Sequence, residues 1–124
     1  MSDSLDRLYQ AVVAARNADP MASRTARLLR AGRGKMAKKL AEEAFEVAID
    51  AMHGRSDAVV RESADLLYNL VVIWVDSGVH PKDVWIEMQR RERLLGIAEK
   101  PPKDALDAPR RGKVVTLDRN RKRR

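Results

Sequence analysis

Glu42, Glu43 and Glu46, followed sixteen residues later by Glu62 and Asp65, place five carboxylates on two stretches that are otherwise strongly apolar. At ~100° per residue, Glu42, Glu43, Glu46 and Asp50 project within about 100° of arc on one helix, and Glu62, Asp65, Asn69 and Asp76 within about 60° on the next. The second stripe runs past Ala64, Leu66, Leu67, Leu70, Val71, Val72, Ile73, Trp74 and Val75. Glu62 and Asp65 are therefore expected to face a protein interior, where an uncompensated carboxylate is costly. A tight turn at His53-Gly54-Arg55-Ser56 brings both sets together on antiparallel helices. Like charges converging in this way call for a divalent cation. A solvated, ion-paired face, with Lys39 one turn and Lys35 two turns before the first acids, accounts for the first helix but leaves the second without a reason.

The elements that position these acids are helical throughout residues 1–98. Leu5, Leu8, Tyr9, Val12 and Val13 repeat at helical spacing, with Ser4 as the expected cap and Asp19-Pro20 as the stop. Ser23 caps a short helix near Thr25 to Ala31, closed by Gly32. Gly32-Arg33-Gly34 reads as a flexible basic connection into a long helix from about Lys35 to His53, stopped by Gly54. The fourth helix runs from Ser56 or Asp57 to Ser77, stopped by Gly78. Pro81 starts a fifth, with Val84, Trp85, Met88 and Leu95 on its buried side. The long pair is too apolar for a small monomer, and a second copy of the chain is the simplest cover. The expected fold is all-α: five helices forming a four-helix-bundle core across a homodimer, with Val72 and Ile73 as outward candidates on helix four.

Composition narrows the chemistry. A chain of 124 residues, 44% hydrophobic and 35% charged, is one soluble domain with a modest core. The absence of cysteine removes thiolate metal sites and cysteine nucleophiles, leaving oxygen donors and hence hard cations. His53 and His80 lie outside the acidic motif and read as helix-end residues, so no zinc site is expected. The apolar run from Leu70 to Val75 is far short of a membrane span, and the N-terminus lacks an export pattern, so the chain reads as cytoplasmic.

The net charge of +7 is unevenly placed. Residues 1–98 carry 15 Lys/Arg against 14 Asp/Glu, and residues 99–124 carry 10 against 4. The second segment is expected to be a disordered basic tail, with Val114 to Leu117 its only strand-like stretch. Its arginines and lysines can touch phosphates, but it has no aromatic residue to stack on a base, so a solvated tail is preferred to a nucleic-acid arm.

The run Ser23-x-Thr25-Ala26-x-Leu28-Leu29-x-x-Gly32, then Lys39-x-x-Glu42-Glu43-Ala44-x-Glu46-Val47, then Glu62-x-Ala64-Asp65-Leu66-Leu67-Tyr68, resembles the phosphoribosyl-ATP pyrophosphohydrolases of the MazG-like all-α pyrophosphatase superfamily. The resemblance covers roughly residues 5–93. It departs at Ala41, Arg24 and Asn69, where the family commonly has glycine, an aromatic residue and histidine. It implies Mg²⁺-dependent hydrolysis of the α–β phosphoanhydride of phosphoribosyl-ATP, giving phosphoribosyl-AMP and pyrophosphate in histidine biosynthesis. It further implies Glu43, Glu46, Glu62 and Asp65 as metal ligands, with Glu42 orienting or deprotonating the attacking water or holding a second ion. Lys35 and Lys39 are either ion-pair partners or phosphate contacts, Arg33 is a further phosphate candidate, and Asn69 is placed to meet a water beside the metal or the nucleotide. Trp74 and Trp85 are core or interface residues, or flank a base. The departures leave another nucleoside triphosphate open as substrate, and from a different class of function, a non-enzymatic helical dimer holding nucleic acid with its tail.

Overall fold

A computed structural model describes residues 2–95. These form five helices and no strand: α1 Ser2–Ala15, α2 Arg24–Ala31, α3 Arg33–Met52, α4 Ser56–Ser77 and α5 Pro81–Leu95. The all-α expectation is met. The tail from residue 99, with its strand-like stretch, lies outside the described residues.

Helix ends follow local chemistry. The Oγ of Ser23 accepts from Ala26 N–H at 3.0 Å, capping α2 as its position in the sequence suggests. Ser4 does not cap α1, which begins two residues earlier; its Oγ instead accepts from Arg7 at 3.2 Å. The expected three-residue connection between α2 and α3 shrinks to Gly32. A single residue at φ 100° redirects the chain, so Arg33 and Gly34 already belong to the first turn of α3. The N–H groups of a first turn have no intrahelical partner, so Gly34 there forfeits little.

The α3–α4 turn closes with a Schellman pair: Gly54 N–H donates to Ala51 O and Arg55 N–H to Asp50 O. Arg55 and Asp50 add an ion pair at 3.3 Å. At the end of α4, Gly78 (φ 74°) repeats the device through Val75 O and Trp74 O. His53 Nδ1 lies 2.9 Å from Ile49 O. His80 opens α5, its N–H donating to Asp83 Oδ2 at 2.9 Å while its carbonyl accepts from Asp83 N–H at 2.8 Å. Both histidines are thus occupied at helix ends.

Contacts divide the chain into two compact units between Trp85 and Ile86. In the first, α3 and α4 pack as a hairpin, α1 lies on α4 and α2 on α3. The core is Val12, Leu28, Met36, Val71, Val72 and Val75, ringed by Leu5, Leu8, Tyr9, Tyr68, Trp74 and others. Trp74 meets Trp85 edge to face at 6.4 Å. Val72 is therefore inside the chain's own core and Ile73 packs half-buried against it; neither is an outward position. The outward apolar residues lie elsewhere on the hairpin: Phe45 is 65% exposed, Met52 85%, Val60 70% and Leu67 43%. The described part of the second unit is the end of α5, where Glu87 pairs with Arg90 and Arg91 at 3.4 and 3.1 Å and Met88 is exposed. Among the described residues no helix is long and apolar enough to cross a membrane.

Candidate metal centre

The α3–α4 hairpin fixes where the acids meet. Glu43 on α3 and Glu62 and Asp65 on α4 each offer a carboxylate oxygen, all within 4.8 Å of one another. Glu43 and Glu62 are half-buried and Asp65 is exposed, so the cluster opens to solvent on one side rather than lying wholly in an interior. Glu43 Oε1 is buried without a hydrogen-bond partner. A buried carboxylate oxygen left unmatched is costly in a protein, and here it belongs to the group with metal-ligand spacing. Three oxygens with an open side suit a hard cation that retains water and phosphate ligands, as Mg²⁺ does.

Glu46 stands one step out. The proton it can share with Glu62, together with the charges of Glu62, Asp50 and Glu42 and partial desolvation, raises its carboxyl above the ordinary range. Glu62 is raised as well, foremost by hydrogen bonding with Glu43, then by desolvation and the charges of Glu43 and Asp65, while its contact with Glu46 works the other way. Repulsion among these carboxylates thus favours the protonated forms of Glu46 and Glu62. Glu42 remains exposed on the rim.

The remaining sequence candidates separate. Asn69, 2% exposed, lies beneath the cluster, with Nδ2 donating to Asp65 O at 2.8 Å and its buried Oδ1 unmatched. Arg33 pairs with Asp76, the last acid of the α4 stripe, at 2.8 Å. Lys35 and Lys39 form no ion pair among the described residues. They line an open pocket of about 560 Å³ together with Arg24, Arg27, Leu28 and Ala31.

Arg24 and Arg27 are the lining cations that the sequence reading did not assign. Their signal was the three-residue spacing on α2, which puts both on one face, but which way α2 turns is decided by Gly32. Arg24 sits over the ring of Tyr68, its guanidinium carbon 5.4 Å from the centroid. The Tyr68 hydroxyl is 2.7 Å from Thr25 Oγ1, tying α2 to α4 one turn beyond Asp65.

Fold and site define an all-α protein in which carboxylates from both arms of a helical hairpin converge beside a cationic pocket. The chain belongs to the phosphoribosyl-ATP pyrophosphohydrolase family, which it matches over residues 5–92. It is 69% identical to phosphoribosyl-ATP pyrophosphatase 2 of Rhodopseudomonas palustris, over 88% of this chain and 83% of the relative. Against the protein of the same name in Bradyrhizobium diazoefficiens it is 68% identical, over 89% and 82%. With phosphoribosyl-ATP pyrophosphatase of Gluconobacter oxydans it shares 51%, over 82% and 78%.

Proposed function

We propose that this chain hydrolyses the α–β phosphoanhydride of phosphoribosyl-ATP, releasing phosphoribosyl-AMP and pyrophosphate in histidine biosynthesis, with Mg²⁺ as its cofactor and as a homodimer. The observation that carries the reading is the convergence of Glu43, Glu62 and Asp65 within 4.8 Å, in a chain that belongs to this family. Glu43, Glu62 and Asp65, with Glu46 at the edge, would hold Mg²⁺, which supplies neutralisation of charge on the phosphate oxygens.

The chain's own groups do the rest. Glu42, on the solvent-exposed rim, orients the attacking water and takes its proton. Lys39, four residues before Glu43 on α3, meets a phosphate oxygen and holds the anhydride in line for attack. Asn69 keeps the Asp65 turn in place from below through its hydrogen bond to the backbone. The dimer covers Phe45, Met52, Val60 and Leu67, which are exposed on the hairpin that carries the cluster.

Pyrophosphate release from phosphoribosyl-ATP and a panel of nucleoside triphosphates, with and without Mg²⁺, tests the reading. Release that requires Mg²⁺ and favours phosphoribosyl-ATP is expected. Equal turnover in chelator, or preference for another triphosphate, refutes it.

A further inference from the structure

Phosphoribosyl-ATP is anionic at two ends: the triphosphate, and the 5′-phosphate of the ribosyl group joined to the base. The carboxylate cluster serves the first end. We propose that Arg24 and Arg27 on α2, with Lys35 on α3, bind the second, the ribosyl 5′-phosphate, and so select this substrate over a plain nucleoside triphosphate. The inference rests on the function proposed above and assigns it a specificity site.

The pocket of about 560 Å³ is within the range of small-molecule sites, roughly 300–1,000 Å³. Arg24, Arg27, Lys35 and Lys39 line it, and among the described residues no carboxylate pairs with any of the four. Like charges gathered around one cavity repel unless an anion enters. Leu28 and Ala31 add an apolar wall for a sugar. The arginines are also held in place: Arg24 by the Tyr68 ring, and Arg27 by donating to Pro20 O at 2.7 Å. Each guanidinium has five N–H donors, so these contacts leave donors for a phosphate in the fork geometry that suits it.

Position along α3 favours the distal phosphate. At ~1.5 Å per residue, Lys39 lies about 6 Å along the axis from Glu43 and Lys35 about 12 Å. Lys39 thus borders the metal cluster and Lys35 lies one turn farther from it, while Arg24, over the Tyr68 ring, meets α4 one turn beyond Asp65. The charge order also opposes helix stability. Neither α2 nor α3 has an acidic residue in its first turn, where the helix dipole favours one, and both place cations there. Positive helix ends reinforced by arginine and lysine attract an anion together.

The test is steady-state kinetics of Arg24→Ala, Arg27→Ala and the double variant on phosphoribosyl-ATP and on ATP, with ribose 5-phosphate as a competitive inhibitor. Both side chains are exposed, so the fold should persist, and circular dichroism checks it. KM for phosphoribosyl-ATP should rise about ten-fold or more per arginine, with kcat and the constants for ATP little changed. Inhibition by ribose 5-phosphate should be lost, and Arg24→Lys should restore only part of it. An active parent whose double variant keeps its preference for phosphoribosyl-ATP over ATP, or loses both substrates equally, overturns this assignment alone. A parent inactive on phosphoribosyl-ATP overturns the proposed function and this assignment with it.

Discussion

Two glutamate substitutions distinguish the chain's own core from the surface proposed to be covered by a second copy. Val72 is fully buried among Val12, Met36 and Val75, so Val72→Glu forfeits its packing, roughly 1.5–3 kcal/mol, and adds an unpaired buried carboxylate at several kcal/mol more. Against a total stability of about 5–15 kcal/mol, that removes much of the margin and should lower the melting temperature steeply. Phe45 is different, because 65% of it is exposed in the single chain. Covering that part removes on the order of 100–160 Å² of apolar surface, roughly 2.5–4 kcal/mol, and two-fold symmetry applies it twice. Association has its own entropic cost, so not all of this appears as affinity; Phe45→Glu should still weaken dimerisation at least 100-fold, about 2.7 kcal/mol or more, while the helices remain. Sedimentation velocity over a concentration series, with thermal melts followed by circular dichroism, reads both effects. A parent that is monomeric at tens of micromolar, or a Phe45→Glu protein that dimerises like the parent, refutes the assigned interface. A Val72→Glu protein that melts like the parent refutes the assigned core.

Glu62→Gln should abolish Mg²⁺-dependent pyrophosphate release while retaining the helical spectrum, since Glu62 bridges Glu43 and Glu46 across the hairpin; near-parent turnover at saturating Mg²⁺ would count against the cluster. Because Glu46 and Glu62 hold protons above their ordinary value of 4.5 in the fold, the metal-free folded state binds more protons than the unfolded chain, so this contribution to stability is greatest at acid pH and is lost as pH rises from 4.5 through the raised values. Melting temperature against pH in chelator should show that decline, and Mg²⁺ or Glu46→Gln should flatten it. Ser23→Ala removes the cap of α2 and should cost about 1 kcal/mol, seen as a lower denaturant midpoint.

Much of this architecture was legible because its punctuation is local. Gly54 and Gly78 lie where left-handed backbone ends α3 and α4, Ser23 caps α2, and Pro81 opens α5, each through interactions within a few residues. The convergence of Glu43, Glu62 and Asp65 followed from the same logic, since a short turn between two helices of known phase fixes which faces meet. What the pattern could not give was the division of apolar surface. Periodicity marks α4 as apolar nearly all round, but whether Val72 or Leu67 is covered by this chain depends on where α1 and α2 come to lie, which is a tertiary fact. The pocket on α2 escaped for the same reason: Arg24 and Arg27 acquire meaning only when packing sets them against Lys35 and Lys39.

The charge order of α3 joins the two sites. Its cations, Arg33, Lys35, Lys38 and Lys39, all precede its acids, Glu42, Glu43, Glu46 and Asp50. A helix selected for its own stability would have the reverse order, since a charge on the wrong end of the dipole costs about 0.3–1 kcal/mol. Interleaving the same residues at four-residue spacing would instead have gained ion pairs of ~0.2–0.5 kcal/mol each. Segregation forgoes the first gain and leaves only Lys38 with Glu42 and Lys39 with Glu43 at four-residue spacing. In return, one rigid element presents a cationic stretch and a cation-demanding stretch about one turn apart. Such an element can grip a long polyanion at two points, and α4 completes both grips through residues a single turn apart: Asp65 at the carboxylates and Tyr68 beneath Arg24. Register between the metal and the phosphate pocket is therefore set by helix geometry rather than by a loop, so a substrate whose second phosphate lies at the wrong distance is poorly placed for attack even when its triphosphate fits.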